Sequence, residues 1–426
     1  MTSSPPMSSE RKHPKRSLLS VLGPGLVTGA ADDDPSGIGT YSQIGAAFGF
    51  KLCWTMPFAF PLLAAIQQVC AEVGAVTGRG IAQNLRRHYS PWLLRFVVLL
   101  LLFANVINLG ADLGAMGAAA GMLVPAPILA LTFGFALASV GLEIWISYAN
   151  YSRVLKWATL SLFAYVGVVF VAQVPAQAAL RGIFIPSFAF NKEEAMALVA
   201  IMGTTISPYL FFWQAGQEVE EQHRLHHKPL YLSPRRAGPE LKRIRADTLI
   251  GMGFSHMVAL FIILATAATL HASGVRNIDS AAQAAAALRP IAGDFAFALF
   301  AIGMIGTGLL AVPILAGSAA YAVSETFGWV EGLDRKWKEA KAFYGVILVA
   351  TIGGAALNLL AVDPMKALYW TAVVNGLLAP PLMVVLMLMA RNSRVMGKLT
   401  ISTPLAVVGW ISTAVMGGVA LLFLAA

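Results

Sequence analysis

Long apolar runs dominate the chain, separated by short polar and basic stretches. Runs long enough to cross a bilayer fall near residues 18–49, 52–76, 92–122, 127–147, 153–173, 193–221, 245–271, 293–326, 341–361, 364–390 and 402–425. A helix needs about 20 apolar residues to span a hydrocarbon core of roughly 30 Å. The pattern therefore predicts an all-α polytopic membrane protein with about eleven transmembrane helices. It forms one integral-membrane domain over residues 17–426, preceded by a disordered cytoplasmic arm over residues 1–16. The longest soluble piece is expected over residues 222–245, where Pro229, Pro234 and Pro239 predict a solvated basic loop. On that reading His223, His226 and His227 do not form a metal-sensing cluster.

Two spans are interrupted where an apolar helix should be uniform. The first reads Gly-Pro-Gly-Leu-Val-Thr-Gly-Ala-Ala-Asp-Asp-Asp-Pro-Ser-Gly-Ile-Gly over residues 23–39, with three acids and a proline in mid-membrane. The sixth carries Gly-Thr-Thr-Ile-Ser-Pro-Tyr over residues 203–209. Proline removes a backbone donor and clashes with the preceding turn, so each helix breaks there. Irregular backbone survives in a membrane only against protein or a wet cavity. Pro35 and Pro208 lie five spans apart. That spacing predicts an inverted five-plus-five repeat whose broken helices meet at the midplane and coordinate cations. Repeat one covers about 17–173 and repeat two about 190–391, with an extra helix at about 402–425.

Composition agrees: 58% of the residues are hydrophobic and 12% charged, about half the charged share of a soluble domain. The net charge of +9 raises nucleic acid as a partner, but its distribution removes that reading. With the N-terminus in the cytoplasm, 24 Lys and Arg fall on the cytoplasmic side and six on the other. The basic charge is thus a positive-inside topology signal in a plasma (inner) membrane, with the C-terminus on the opposite side. Behind the basic Arg11–Arg16 cluster no cleavage signature interrupts the first apolar run, so it reads as a membrane helix and not a signal peptide. Cys53 and Cys70 sit in apolar surroundings and support neither a disulfide framework nor a metal cluster. No nucleophile–base pair, P-loop or zinc motif is found, so an enzyme is not expected.

At the two breaks the sequence resembles the Nramp family of divalent metal transporters, whose first-helix signature is Asp-Pro-Gly-Asn. Here the matching tetrad is Asp34-Pro35-Ser36-Gly37, flanked by Gly23-Pro24-Gly25 and by Gln43, Gly45, Phe48-Gly49-Phe50-Lys51-Leu52 and Trp54. Gly74-Ala75-Val76-Thr77-Gly78 and Asp112-Leu113 also resemble family segments. The resemblance implies a LeuT-like fold, movement of the cation into the cytoplasm, and alternating access by helix rocking. It also implies coordination by the carbonyls of Ala31 and Thr204 and by an amide at Asn375. Three departures stand out. The family's asparagine is replaced by Gly37, the methionine of its Met-Pro-His by Ser207, and the histidine by Tyr209. Thioether sulfur suits transition metals, whereas carboxylate, carbonyl and water suit Mg²⁺, Ca²⁺ and Mn²⁺. Gly and Ser leave a roomier pocket, and Mg²⁺ keeps several of its waters. The pattern is similar to the magnesium-transporting branch of Nramp-related proteins.

The candidate metal site is therefore Asp34, Ala31, Thr204, Ser207, Gly37 and Asn375, with Asp33, Tyr209, Gln214, Glu218 and Asp112 lining the pathway. A carboxylate at the bilayer centre is a functional hypothesis by default. Asp34 before Pro35 also reads as a helix N-cap, and its two oxygens can serve both roles. Asp32 and Asp33 point to other faces and can line a vestibule or hold an ion-bound water. Ser207 reads equally as a packing residue beside the kink, and Asn375 as a bond to a neighbouring helix. Gln214, Gln217, Glu218 and Glu221 share one helix face, which is either an acidic hydrated lining or a helix end dipping into solvent. His256 reads as a helix–helix hydrogen bonder, and Gly110, Gly114, Gly117, Gly303, Gly306 and Gly308 as close-packing surfaces.

Asp112 has a family counterpart on the proton route, yet the acid expected three residues later is Ala115 and span nine contains no arginine. The expected activity is uncoupled, potential-driven passage of Mg²⁺ or Mn²⁺. A proton-coupled Mn²⁺ or Fe²⁺ importer stays open. An amino-acid transporter of the same fold is disfavoured because three acids at the break repel a carboxylate, and no soluble signalling domain supports a sensor. The expected partners are the transported divalent cation and the bilayer. Nucleic acid, an obligate protein partner and a resident cofactor are not expected.

Overall fold

The computed structural model describes residues 24–146, 158–172, 174–189, 191–333 and 335–425. The expected N-terminal arm, residues 1–16, lies outside the described residues. In chain order the principal helices are α1 (Pro24–Asp32), α2 (Pro35–Phe48), α3 (Thr55–Thr77), α4 (Ile81–His88), α5 (Pro91–Gly121), α6 (Ile128–Trp145), α7 (Phe163–Val171) and α8 (Ala176–Phe184). There follow α9 (Lys192–Thr205), α10 (Pro208–Arg224), α11 (Pro234–Thr266), α12 (Ala281–Ala286), α13 (Ala296–Phe327), α14 (Lys341–Leu357), α15 (Pro364–Arg391) and α16 (Thr403–Ala425). Nine helical stretches among the described residues are long and apolar enough to cross a membrane. The other two expected spans are the broken first one, split into α1 and α2, and the fifth, described only from residue 158 onward.

Both breaks have the same local cause. Asp34 is extended (φ −72°, ψ 172°) and caps α2, with Pro35 in the first helical turn. Ser207 is likewise extended (φ −78°, ψ 132°) and Pro208 opens α10. A fixed φ near −65° suits a first turn, where the missing N–H would have no partner anyway. The two broken spans face each other: α10 packs on α1, and α9 packs on α2 and α15.

Small residues set these approaches. A Cβ on Gly203 would fall 2.0 Å from the Ala372 carbonyl, so α9 and α15 meet backbone to backbone one residue before Thr204. A Cβ on Gly29 would lie 2.3 Å from the Gly251 carbonyl, which presses α1 onto α11. Gly110 meets Gly354, Gly114 meets Asn358 and Gly117 meets Thr132, in line with the close-packing reading of the third span. Cys53 and Cys70 are buried and free.

Two expectations are corrected. Residues 234–245 are not a loop: they form the first turns of α11, a single 33-residue helix. Pro234 pre-sets its first turn, and Pro239 removes a helical hydrogen bond where the extension is still largely exposed. His256 does not bond a neighbouring helix through Nδ1. That nitrogen lies 3.1 Å from the Met252 carbonyl of its own helix, and the ring meets Phe60 edge-on.

Candidate cation site at the helix breaks

Asp34 lies at the first break, 3% exposed. Its Oδ1 accepts from the Gly37 amide at 2.6 Å, so it is the cap that the Asp-Pro pair predicts. Its Oδ2 accepts from the Tyr209 hydroxyl at 3.1 Å, and the same hydroxyl lies 3.2 Å from the Ala31 carbonyl. One phenolic proton cannot fully satisfy two acceptors. Tyr209 thus stands where a cation would meet the Asp34 carboxylate and the freed Ala31 carbonyl. It was expected as a pathway liner, and the fold brings it into direct contact with Asp34.

Across the second break, the Ser207 hydroxyl donates back toward the Gly203 and Thr204 carbonyls at 2.9 and 3.0 Å. Its proton is spent on the end of α9, and its oxygen lone pairs stay available. The side-chain oxygen of Asn375 is buried with no hydrogen-bond partner. It belongs to the stretch of α15 that Gly203 admits, which brings it to the level of the break. Gly37 contributes room: a Cβ there would come within 3.1 Å of the Asp32 carbonyl and 3.5 Å of Asp34 Oδ1. Asp112 on α5 is fully buried and feels the charge of Asp34. Every donor at the break named here is an oxygen.

The two sides of this site differ. On the side opposite the expected cytoplasm, a cavity of about 650 Å³ is lined by Gly39, Gln43, Glu193, Asn277, Met365 and Tyr369, among others. Gly39 is five residues beyond Asp34, about 7 Å along a helix, so the cavity reaches close to the break. Its rim carries the exposed pair Lys366–Asp279 at 3.1 Å, and Gln43 holds the 276–278 loop through the Ile278 amide at 2.8 Å.

The other side is closed. The Gly25 amide donates to Asp247 Oδ2 at 2.8 Å, and the Thr28 hydroxyl donates to Gln214. Glu218, 1% exposed, is paired with Arg243 at 2.7 Å. Arg243 also bonds Glu240 at 2.7 Å and lies 3.7 Å from Asp247. Gln214 and Glu218 therefore sit inside the closure in this state, tied together at 3.4 Å, and do not line open water. Glu221 lies further out and pairs with Arg224. Sequence reasoning passed over Thr28, Arg243, Asp247 and Ser255. The only signal was the charge at the head of the seventh span, which the predicted loop absorbed. His227 of the basic loop meets Arg236, and no cluster of three metal-ligating side chains occurs among the described residues.

A helical membrane protein whose two broken helices bring oxygen donors together mid-bundle, with a cavity on one side and a polar closure on the other, has the architecture of a LeuT-like transporter. The fold is shared with an inward-facing structure of the transporter Mhp1, at a TM-score of 0.52 and 12% identity, covering 94% of this chain and 90% of that one. It is shared more closely with a manganese transporter of Eremococcus coleocola, at a TM-score of 0.75 and 18% identity over 97% of this chain and 88% of that one. The family model described as natural resistance-associated macrophage protein-like matches residues 25–426. The chain belongs to the Nramp family. Relatives include a divalent metal cation transporter of Klebsiella pneumoniae, 25% identical over 98% of this chain and 96% of its own. Another, of Deinococcus radiodurans, is 24% identical over 93% of this chain and 87% of its own.

Proposed function

We propose that the chain carries a partly hydrated divalent cation, Mg²⁺ foremost and Mn²⁺ beside it, by alternating access across the plasma membrane. The observation that carries this is the all-oxygen set at the breaks, formed by Asp34, the Ala31 and Thr204 carbonyls, Ser207 and Tyr209. Oxygen ligands suit Mg²⁺, Ca²⁺ and Mn²⁺, and no thioether stands at position 207 to favour softer metals. Gly37 and Ser207 leave space for the waters that Mg²⁺ gives up reluctantly.

In this reading the cation arrives from the cavity near Gly39 and turns the Tyr209 O–H away from Asp34 Oδ2 and Ala31 O, the proton staying on the phenol. It leaves when α1 moves away from α10 and α11, breaking the Thr28–Gln214 and Gly25–Asp247 bonds. The 24-to-6 division of Lys and Arg supports a cytoplasmic N-terminus, so the closed side faces the cytoplasm. Ala115 in place of the expected acid, and α14 without arginine, support passage driven by the membrane potential alone. A dication moving inward then gains ~4.6 kcal/mol per 100 mV, twice the single-charge value.

A second reading, a proton-coupled Mn²⁺ importer, draws support from the buried carboxylate of Asp112 and from the manganese transport of the Eremococcus protein. One experiment separates the two. Uptake is measured in liposomes containing the purified protein, with Mg²⁺ competing against Mn²⁺ while a dye reports lumenal pH. The proposal expects millimolar Mg²⁺ to block Mn²⁺ uptake with no lumenal acidification. Mn²⁺ uptake that ignores excess Mg²⁺ and acidifies the lumen establishes the second reading instead.

A further inference from the structure

The membrane core holds more negative charge than one transported ion can balance. Asp32, Asp33, Asp34 and Asp112 are all buried, between 0 and 3% exposed. Among the described residues, no Lys, Arg or His nitrogen lies within 4.0 Å of any of them. A dication at Asp34 neutralises two charges and leaves two. Either two protons or a second cation must supply the rest, because isolated carboxylates in a low-dielectric interior are too costly to keep.

Local geometry favours a cation. The Ser255 hydroxyl, reaching in from α11, lies 2.7 Å from Asp32 Oδ2 and 3.2 Å from Asp33 Oδ1. A serine has one proton to donate, so one of the two carboxylate oxygens faces only a hydroxyl lone pair. That contact is repulsive unless a cation or a carboxyl proton bridges it. Asp32 Oδ1 has no hydrogen-bond partner at all. Neither does the Tyr41 hydroxyl, which is fully buried and feels the charges of Asp32, Asp33 and Asp34. The Tyr41 ring is held at the break: its Cε2, one bond from the carbon bearing the hydroxyl, lies 3.4 Å from where a Gly37 Cβ would stand. The Asp32 carbonyl lies 3.1 Å from the same point. Buried polar atoms in folded proteins are almost always partnered, so an unpartnered Asp32 oxygen and an unpartnered Tyr41 hydroxyl at the same break mark a place for a ligand.

We propose a second site for a hard divalent cation on the α1–α11 side of the break. It is built from the carboxylates of Asp32 and Asp33, the Ser255 hydroxyl and the Tyr41 hydroxyl, and is separate from the Asp34–Tyr209–Ala31 site. The proposal rests on reading the break as a cation site. The donors are all hard oxygens, which fits Mg²⁺ and Mn²⁺ and disfavours soft metals. Asp32 ends α1 and Asp33 follows it, on the half-helix that leads to the closed side, so this site is the next stop on the way in. Two dications a few ångströms apart repel, and the second ion loosens the first. Multi-site occupancy of this kind lets a pathway bind ions without trapping them.

The test is Mn²⁺ stoichiometry on the purified full chain in nanodiscs, by equilibrium dialysis with metal analysis. It compares the unaltered protein with Asp34→Asn, Asp32→Asn/Asp33→Asn and Ser255→Ala. The expected result is two Mn²⁺ per chain in the unaltered protein and one in Asp34→Asn and in the Asp32→Asn/Asp33→Asn pair. Ser255→Ala should keep two, with the weaker one at least tenfold weaker again. One Mn²⁺ in the unaltered protein, retained in Asp32→Asn/Asp33→Asn and lost in Asp34→Asn, overturns the second site and leaves protons to balance the charge. No bound Mn²⁺ in the unaltered protein defeats the second site and the cation reading of the break together. Ser255→Ala removes one hydroxyl and no charge, so it keeps the test open if the paired carboxamides fail to fold.

Discussion

Arg243→Ala should shift the transporter toward a state open on the side that α1 and α11 now close, and the size of the shift follows from burial. Arg243 holds Glu218 at 2.7 Å, with side-chain exposures of 18% and 2%. It also lies 3.7 Å from Asp247, whose Oδ2 receives the Gly25 amide. Its third partner, Glu240, is 24% exposed and contributes little by comparison. Removing one member of a buried ion pair costs about 3–5 kcal/mol, because the other charge is left without compensation. That cost falls on the closed state, since opening lets Glu218 reach water. Allowing half for Arg243's partial exposure leaves ~2 kcal/mol, or about 30-fold in the closed-to-open ratio at 1.4 kcal/mol per decade. Hydrogen exchange of the backbone over Pro24–Asp32 should accelerate by about that factor. Adding Glu218→Gln should restore much of the protection, because it removes the buried charge that Arg243 held most closely, while Asp247 still accepts the Gly25 amide. Unchanged exchange over Pro24–Asp32 in Arg243→Ala, or a double variant as fast as the single, would refute the idea that this pair latches α1.

Asp34→Ala should abolish Mn²⁺ and Mg²⁺ uptake while the protein still elutes as a folded species, because α2 keeps Pro35 and loses only its cap, a loss of about 1 kcal/mol; residual uptake near the unaltered level would remove Asp34 from the pathway. Gly203→Ala should lower thermal stability in detergent by about 1–3 kcal/mol, since its Cβ would overlap the α15 backbone at 2.0 Å and backbone cannot yield as a flexible side chain does. Glu331 lies outside the spans, where burial first and then the neighbouring charges of Glu325 and Glu220 push it up to about 9 from 4.5. The fold therefore favours its neutral form. The stability this contributes is complete below pH 4.5 and is lost as pH rises through 9. Residues 329–333 should exchange amide hydrogens faster at pH 9 than at pH 6 after correction for intrinsic rates, and Glu331→Gln should flatten that dependence.

Local chemistry made the frame legible in the sequence. Apolar runs, two prolines five spans apart and three acids in mid-membrane point to a multi-span helical bundle with two opposed breaks, because bilayer thickness and proline stereochemistry act on a few residues at a time. Asp34 could be singled out on the same ground: an acid before a proline in hydrocarbon has few other uses. What surrounds it could not. The Tyr209 hydroxyl reaches Asp34 across 175 positions of chain and Arg243 reaches Glu218 across 25, while Ser255 closes on Asp32 across 223. No periodicity encodes those meetings. They depend on how closely α1, α10 and α11 pack, which backbone contacts such as Gly29 on Gly251 decide. Residues 234–245 show the same limit from the other direction. Their prolines and charges read as loop, yet the helix continues because its membrane-embedded remainder is anchored in the bundle and nucleates it from within. The sequence by itself determined where the membrane helices run, where two of them break and which acid sits at the break. Only the tertiary structure decided which oxygens gather there and which pair seals the closed side, because those contacts form between helices far apart in the chain.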